Sequence, residues 1–252
     1  APLPGNLTLA NFRRVARLPE ARLALRTSLW VSALAACAVA LLGLLVAVST
    51  RGAGLYDRLL PALAALPFGT PGTVTAVAFI LGWGTKLPIV NRSLYGTAWL
   101  ILLAYCARFL VFGVEPLRAA LTRLDPALEE AAAAAGAGRL RRLRDVVAPH
   151  LAPALAATWL LVFLTALHEL TVSALLAAPR VTTLGVAVLH LDQEGDVGAT
   201  AALAVLLVLM VALAAALLLG LQRLPARREA GAPERGAAEP GAAFEALAQE
   251  GS

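Results

Sequence analysis

The chain has 252 residues, 60% of them apolar and 15% charged, with a mean hydropathy of +0.77; a soluble domain runs at roughly 45–50% apolar and about 25% charged. So much apolar surface needs lipid as its solvent. The net charge of +5 does not indicate nucleic acid, because the arginines lie between apolar blocks and form no stripe with interleaved aromatics; Cys37 and Cys106 sit in apolar segments, with no partner at disulfide or metal-ligand spacing.

Ala1-Pro2-Leu3-Pro4 opens the chain with neither an initiator methionine nor a signal peptide, as expected of a piece of a longer protein. Residues 1–26, which carry Arg13, Arg14, Arg17, Arg22 and Arg26, are expected to form an N-terminal extracytoplasmic or interfacial segment. A spanning helix needs about 20 mostly apolar residues, and five such stretches follow. The first runs from Thr27 to Thr50, bounded by Arg26 and Arg51. The second, between Arg58 and Lys86, contains Pro61, Pro67, Pro71 and several glycines, so it is expected to be kinked or broken; a packed membrane helix absorbs such residues where a soluble one does not. The third runs from Ser93 to Val114 and is interrupted by Arg108. The fourth covers Leu151 to about Leu176 and carries His168 and Glu169, and the fifth, Val197 to Gln222, has no charge. Residues 223–252 turn to Pro, Gly, Ala, Glu and Arg, which cannot bury enough surface to fold alone, and read as a disordered cytoplasmic tail. The apolar runs are long, rich in Ala and Leu, and lack period-2 alternation. An all-α integral membrane protein follows, a bundle of about five transmembrane helices over 27–222.

Basic residues in short loops set orientation. The loop after span one, the loop after span three and the tail share one side and hold Arg51, Arg58, Arg118, Arg123, Arg139, Arg141, Arg142, Arg144, Arg223, Arg227, Arg228 and Arg235. Lys86, Arg92 and Arg180 are opposite, with the arginine-rich N-terminal segment as the dissenting charge. The balance makes the long middle loop, residues 115–150, cytoplasmic.

That loop carries the most informative pattern. Asp125 is placed as an N-cap with Pro126 at the first helical position, acids follow in the first turn, and alanines continue the helix to Gly136. Gly136 ends it, and a second, basic helix from Arg139 should stop near Pro149, at the entry of span four. The register of Glu130, Ala131, Ala132, Gly136, Val146 and Pro149 resembles the signature of the binding-protein-dependent transport permeases, the inner-membrane components of ABC importers. Ala148 replaces the usual leucine. In that family the segment is a coupling helix that docks on a cytoplasmic ATPase, so the resemblance implies that Glu130, Ala131, Ala132, Gly136, Val146 and Pro149 make subunit contact. Without it, an alanine-rich loop helix would read equally as one lying on the membrane surface. Leu66 to Thr73 and Ala107 to Leu121 look like the same family, and the resemblance covers about residues 27–222.

The resemblance further implies a cytoplasmic ABC ATPase dimer, a periplasmic substrate-binding protein and a second permease half, all in a bacterial inner membrane, with this chain as the expected C-terminal half. His168 to Leu176 and Thr183 to Val188 are most similar to the ferric-iron branch, with thiamine and polyamine branches as alternatives. Ionisable groups inside a span are costly and mark functional positions by default, so Glu169, His168 and Arg108 are the candidate pathway or gating residues. Structural roles compete: a packing hydrogen bond for His168, an ion pair within the bundle for Glu169, and for Arg108 a carboxylate partner or snorkelling.

No GxxxxGK[ST] phosphate loop is present, so ATP would be bound by the partner subunit, with no cofactor in this chain. No catalytic residues and no metal ligands are assigned. An exporter or ion-coupled carrier would need no coupling loop, and a membrane-embedded enzyme would need paired polar residues at shared depth, which the sequence lacks.

Overall fold

A computed structural model describes residues 9–52, 54–85 and 93–230; Lys86 and Arg92 lie outside these. Contacts divide the chain into one unit, Ala1–Leu221, and a second, Gln222–Ser252. In chain order the elements are α1 (Ala10–Arg17), α2 (Pro19–Ser49), α3 (Leu55–Gly69), α4 (Gly72–Trp83), α5 (Ala98–Leu121), α6 (Pro126–Ala134), α7 (Arg139–Arg142), α8 (Ala148–Leu167), α9 (Thr171–Leu176), α10 (Leu184–Gln193) and α11 (Val197–Ala230). A π-helical turn, Leu143–Val147, links α7 to α8. Among the described residues the extended pairing is confined to one isolated bridge, Ala178 to Val181.

Among the described residues four helices are long and apolar enough to cross a membrane, and five spans result if the bent pair α3 and α4 counts as one. The expected break in span two is real. α3 and α4 meet at 103°, with Thr70 and Pro71 between them. Pro71 has no N–H to donate to a continuing helix and instead caps the start of α4.

Other boundaries move. The first spanning helix begins at Pro19, not Thr27, because Arg22 and Arg26 lie on its exposed face and helix continues where the apolar stretch has ended. Within the N-terminal segment, 10–17 and 19–26 are therefore helical, with Leu18 extended between them. The third span is α5, starting at Ala98 and continuing to Leu121. α7 does not stop at Pro149: the π turn carries it into α8, and Pro149, which lacks an N–H for the preceding turn, follows directly on that π-helical turn. The fourth span ends at Leu167, short of Leu176. α11 continues as helix past Arg223 to Ala230, into the stretch expected as tail; residues 231–252 lie outside those described.

The first unit has two main apolar clusters. One joins Val31, Ala35 and Val39 of α2 to Leu100, Ala104, Tyr105 and Phe109 of α5, Val162 and Ala166 of α8, and Val172 of α9. The other joins Val15 of α1 and Ala24 of α2 to Leu167, Leu184, Leu191, Ala199 and Leu203. α2 and α5 come closest where Gly43 faces Gly113, an approach that small residues permit in membrane bundles.

Candidate functional site: an overhanging loop and two broken spans

The loop between α5 and α8 is assembled by local signals. The Asp125 carboxylate accepts from the Ala127 N–H at 2.9 Å, satisfying one of the free donors that every helix start leaves. At the other end Gly136 takes φ +80°. The Gly136 N–H donates to the Ala133 carbonyl at 2.9 Å and the Ala137 N–H to the Ala132 carbonyl at 3.0 Å, the paired bonds of a Schellman turn. The reversed chain enters α7, where Arg141 pairs with Asp145 at 3.4 Å. His150 closes the entry of α8 against the Val146 carbonyl at 2.7 Å.

α6 is built to be seen from outside. Its packing partners are the short helices that follow it, and Glu130, Ala131, Ala133, Ala134 and Gly136 are exposed, with Ala132 and Val146 half-buried and Pro149 exposed. Leu128 is 43% and Leu140 79% exposed, an apolar presence that a free loop tip does not need. Between α6 and the bundle runs a cleft of 790 Å³ lined by Thr50, Arg51, Glu115, Arg118, Pro126 and Glu130 among others. The loop thus overhangs the ends of α2 and α5, with one charged wall behind it and an alanine face in front. Of the six residues singled out by spacing, Ala132 and Val146 line one pocket under α6, Glu130 lines the cleft behind it, and Pro149 stands apart in α8.

The intramembrane candidates lie elsewhere, at the two breaks. Arg108, half-buried in the middle of α5, donates from Nη1 to the Thr70 carbonyl at 3.0 Å and to the Pro67 carbonyl at 3.4 Å, and its guanidinium lies over the Phe68 ring, 5.6 Å from the centroid. Both carbonyls stand where α3 stops and lack a backbone donor; that of Pro67 also accepts from the Thr70 hydroxyl at 2.9 Å. Neither a carboxylate partner nor a snorkelling path is needed. Its Nε is buried without a partner.

Glu169 and His168 do not ride inside a continuous span. α8 ends at Leu167, and α9 begins at Thr171. The helix stops because polar side chains substitute for its backbone bonds: the Glu169 carboxylate accepts from the Val172 N–H at 2.9 Å, and the His168 imidazole bonds the Leu164 carbonyl at 2.6 Å. The Glu169 carbonyl accepts from the Ser173 hydroxyl at 2.8 Å and from the Tyr105 hydroxyl at 3.2 Å. Among the described residues Glu169 makes no ion pair.

The breaks are neighbours. A Cβ on Gly72, at the start of α4, would stand 3.0 Å from the Thr171 side chain at the start of α9, and α4 packs along α9. The polar chain continues outward as Thr183 donates to Ser173 at 3.0 Å and the Leu184 N–H donates to Ser28 at 2.7 Å. Tyr105 and Ser28 are lone hydroxyls in apolar stretches and carry no spacing signal, and Ser173 and Thr183 stand in the sequence only as members of the two stretches similar to the iron branch. Among the described residues no three His, Cys, Asp or Glu side chains converge as a metal site would require.

The family described as "Binding-protein-dependent transport system inner membrane component" matches residues 19–230. A probable ABC transporter permease, y4fN, of Sinorhizobium fredii is 31% identical over 224 residues, which is 88% of this chain but 39% of that protein. The chain therefore spans well under half of that relative. A putative 2-aminoethylphosphonate transport system permease, PhnV, of Salmonella paratyphi A is 27% identical over 89% of this chain and 82% of its own length. An Fe(3+)-transport system permease, FbpB 2, of Haemophilus influenzae is 30% identical over 55% of this chain and 27% of that protein. Among solved structures, a bacterial ABC transporter for alginate import superposes with a TM-score of 0.68 at 17% identity, over 88% of this chain and 84% of that one, a likeness of fold.

Proposed function

This chain belongs to the inner-membrane components of binding-protein-dependent transport systems, and from that premise we propose that it forms one permease half of an ATP-driven importer. A periplasmic binding protein delivers the substrate, a cytoplasmic ATPase dimer drives the cycle, and a second permease half completes the pathway. The observation that carries this reading is α6: a capped helix with small exposed side chains, held off the bundle end by a glycine turn and joined to α8 through a π turn. Such a helix suits close approach by a partner, with Glu130, Ala131, Ala132 and Gly136 at the contact and Val146 and Pro149 at the return to the membrane. The loop end is then cytoplasmic, and α1 and α10 lie outside.

Movement at α6 reaches the membrane along α7 and α8, a continuous rod from Leu140 to Leu167. Its far end is the Glu169 break, which Tyr105 ties to α5. Arg108 ties α5 to the other break, so rocking of α8 is transmitted to α4 and α9 together. In this reading Arg108, His168 and Glu169 gate by holding the breaks and do not grip the cargo.

Ferric iron is the proposed cargo, supported by the likeness of His168 to Leu176 and Thr183 to Val188 to iron permeases and by the Haemophilus relative. The phosphonate permease matches more of the chain and supplies the second reading. A cysteine at Ala131 crosslinked to the co-expressed ATPase tests the coupling role; absence of any crosslink in an active complex sinks it. Uptake of labelled ferric iron against 2-aminoethylphosphonate, in cells with and without the system, decides the cargo.

A further inference from the structure

The break between α3 and α4 lies deep in the membrane. Arg108, which reaches the carbonyls of Pro67 and Thr70 there, stands between Ala98 and Leu121, the two ends of α5, about 15 Å from one and about 20 Å from the other along the helix axis; the hydrocarbon core is about 30 Å thick. At that depth Gly69, Thr70 and Pro71 are exposed on the surface of the chain. Their backbone is also loose. Arg108 serves two carbonyls, but those of Phe68 and Gly69, and the N–H groups of Gly72, Thr73 and Val74, have no partner among the described residues. Pro71 has no N–H to give, and no side chain caps α4.

Lipid cannot be the neighbour of such a face. Non-helical backbone at membrane depth occurs only where protein buries it or where it lines a water-filled cavity. A dry protein cover would have to bring donors for two carbonyls and acceptors for three N–H groups to one elbow, beside a guanidinium that has no carboxylate partner among the described residues. Water meets all of these groups at once, because it both donates and accepts. The polar surface also continues past the elbow: a Cβ on Gly72 would stand 3.0 Å from the side chain of Thr171, which is itself exposed. Other surfaces at this depth differ. α2 runs beside α5 in the same direction, with Trp30 against Trp99 and, further along, Gly43 against Gly113, so Leu34 and Leu41 lie within about 6 Å of the level of Arg108, one to each side. These are 44% and 60% exposed, and they present only hydrocarbon.

We propose that the α3–α4 elbow faces water and forms this chain's share of the translocation path, with Gly69 and Thr70 in its lining. The inference rests on the transport reading, in which a second permease half closes the path from the opposite side. A hydrated solute passing the elbow meets bare carbonyl and N–H groups, which exchange hydrogen bonds with its water shell, while Arg108 holds the elbow in place from α5.

The probe is Gly69→Cys, since a Cβ at this position meets nothing within 4 Å. It is introduced into the full chain with Cys37 and Cys106 replaced by alanine, in membranes carrying the whole transport system. Its reaction with a charged methanethiosulfonate that does not cross lipid is timed against Leu34→Cys and Leu41→Cys in the same background. The elbow cysteine is expected to react about tenfold faster or more, because the thiolate is the reactive form and apolar surroundings suppress it. Without nucleotide it should react from one face of the membrane, and with ATP and orthovanadate from the other. A rate no faster than at the leucine positions overturns the proposal. So does a fast rate confined to the same face in both states, which marks a static pocket of water. Crosslinking of Ala131→Cys to the ATPase, measured in the same membranes, reports the transport reading separately. A slow Gly69→Cys in a crosslinked complex sinks the path and leaves that reading standing, whereas a fast, alternating Gly69→Cys without the crosslink supports the path and sinks the contact at α6.

Discussion

Tyr105 and Arg108, three residues apart on α5, hold the two interrupted spans from a single helix: the Tyr105 hydroxyl donates to the Glu169 carbonyl at 3.2 Å and the Arg108 guanidinium to the Thr70 carbonyl at 3.0 Å. Broken helices inside a membrane survive only where something satisfies their loose backbone ends, and α5 does so for both. The two contacts are not equal. The Glu169 carbonyl keeps the Ser173 hydroxyl if Tyr105 is lost, whereas Arg108 serves two carbonyls at once. Tyr105→Phe is therefore expected to cost about 0.5–1.5 kcal/mol, and Arg108→Met, which strands the Thr70 carbonyl while the Pro67 carbonyl keeps the Thr70 hydroxyl at 2.9 Å, about 1–3 kcal/mol. Thermal unfolding in detergent measures the first effect, and cysteine accessibility at Thr73, raised in Arg108→Met, shows that α4 has come loose. Equal midpoints for both variants would contradict the division of labour.

The crossing of α2 and α5 depends on glycine. A Cβ at Gly43 would lie 2.5 Å from the Gly113 carbonyl carbon, and one at Gly113 would lie 2.5 Å from the Val39 carbonyl oxygen. Backbone cannot yield as a flexible side chain can, so Gly113→Ala is expected to destabilise by about 1–3 kcal/mol, the usual cost of overpacking. Gly82 in α4 has no atom within 4 Å of its Cβ position, so Gly82→Ala should be neutral or gain up to about 1 kcal/mol from helix propensity. The pair of midpoints, measured side by side, separates packing from propensity.

Legibility in the sequence tracked how local each cause is. The length of the apolar runs predicts the helical class and span number, and Pro71-Gly72 predicts the break it causes, because a missing N–H acts where it stands. Asp125 and Gly136 likewise act within their own turns, so α6 reads correctly from its two ends. The His168 break was hidden, since no Gly or Pro marks it and the bonds that end α8 are made by side chains which hydropathy counts only as polar. The partners of Arg108 are carbonyls 38 and 41 residues away, and a carbonyl has no letter in the sequence. Nothing distinguishes Gly43 and Gly113 from eighteen other glycines until two helices cross. Hydropathy also measures apolar length, not helical length, which is why α2 starts eight residues before its apolar window.

Asp196 holds two positions at once. Its carboxylate accepts from the Ala199 N–H at 3.1 Å, capping α11, and pairs with Arg14 at 2.8 Å. The Arg14 side chain is 60% exposed, so the ion pair is worth little, about 0–1 kcal/mol, whereas a cap is worth about 0.5–2 kcal/mol. Asp196→Asn, which retains the cap, should thus leave the thermal midpoint nearly unchanged and insensitive to salt. Asp196→Ala should lower it clearly, and Arg14→Ala should resemble the asparagine variant. A large loss in Asp196→Asn would mean that the ion pair, not the cap, anchors the start of α11.

Gly136 offers a way to damage the loop without damaging the bundle. Its φ of +80° is one that glycine adopts freely and asparagine tolerates, while a β-branched side chain is strained there. A Cβ at this position meets nothing within 4 Å, so substitution tests backbone conformation alone and introduces no clash. Gly136→Val is expected to spoil the Schellman turn and swing α6 out of place, leaving the midpoint of the bundle within about 0.5 kcal/mol, as for a surface change away from the core. Gly136→Asn should stay close to the unaltered chain. If α6 is the ATPase contact, the valine variant loses co-purification with the ATPase in detergent and the asparagine variant keeps it. Glu130→Lys, which leaves the turn intact and reverses one exposed charge on the contact face, should weaken the complex in proportion to falling ionic strength, since exposed charges interact more strongly when less screened. Full recovery of complex in Gly136→Val would show that the partner reads some other surface of the loop end.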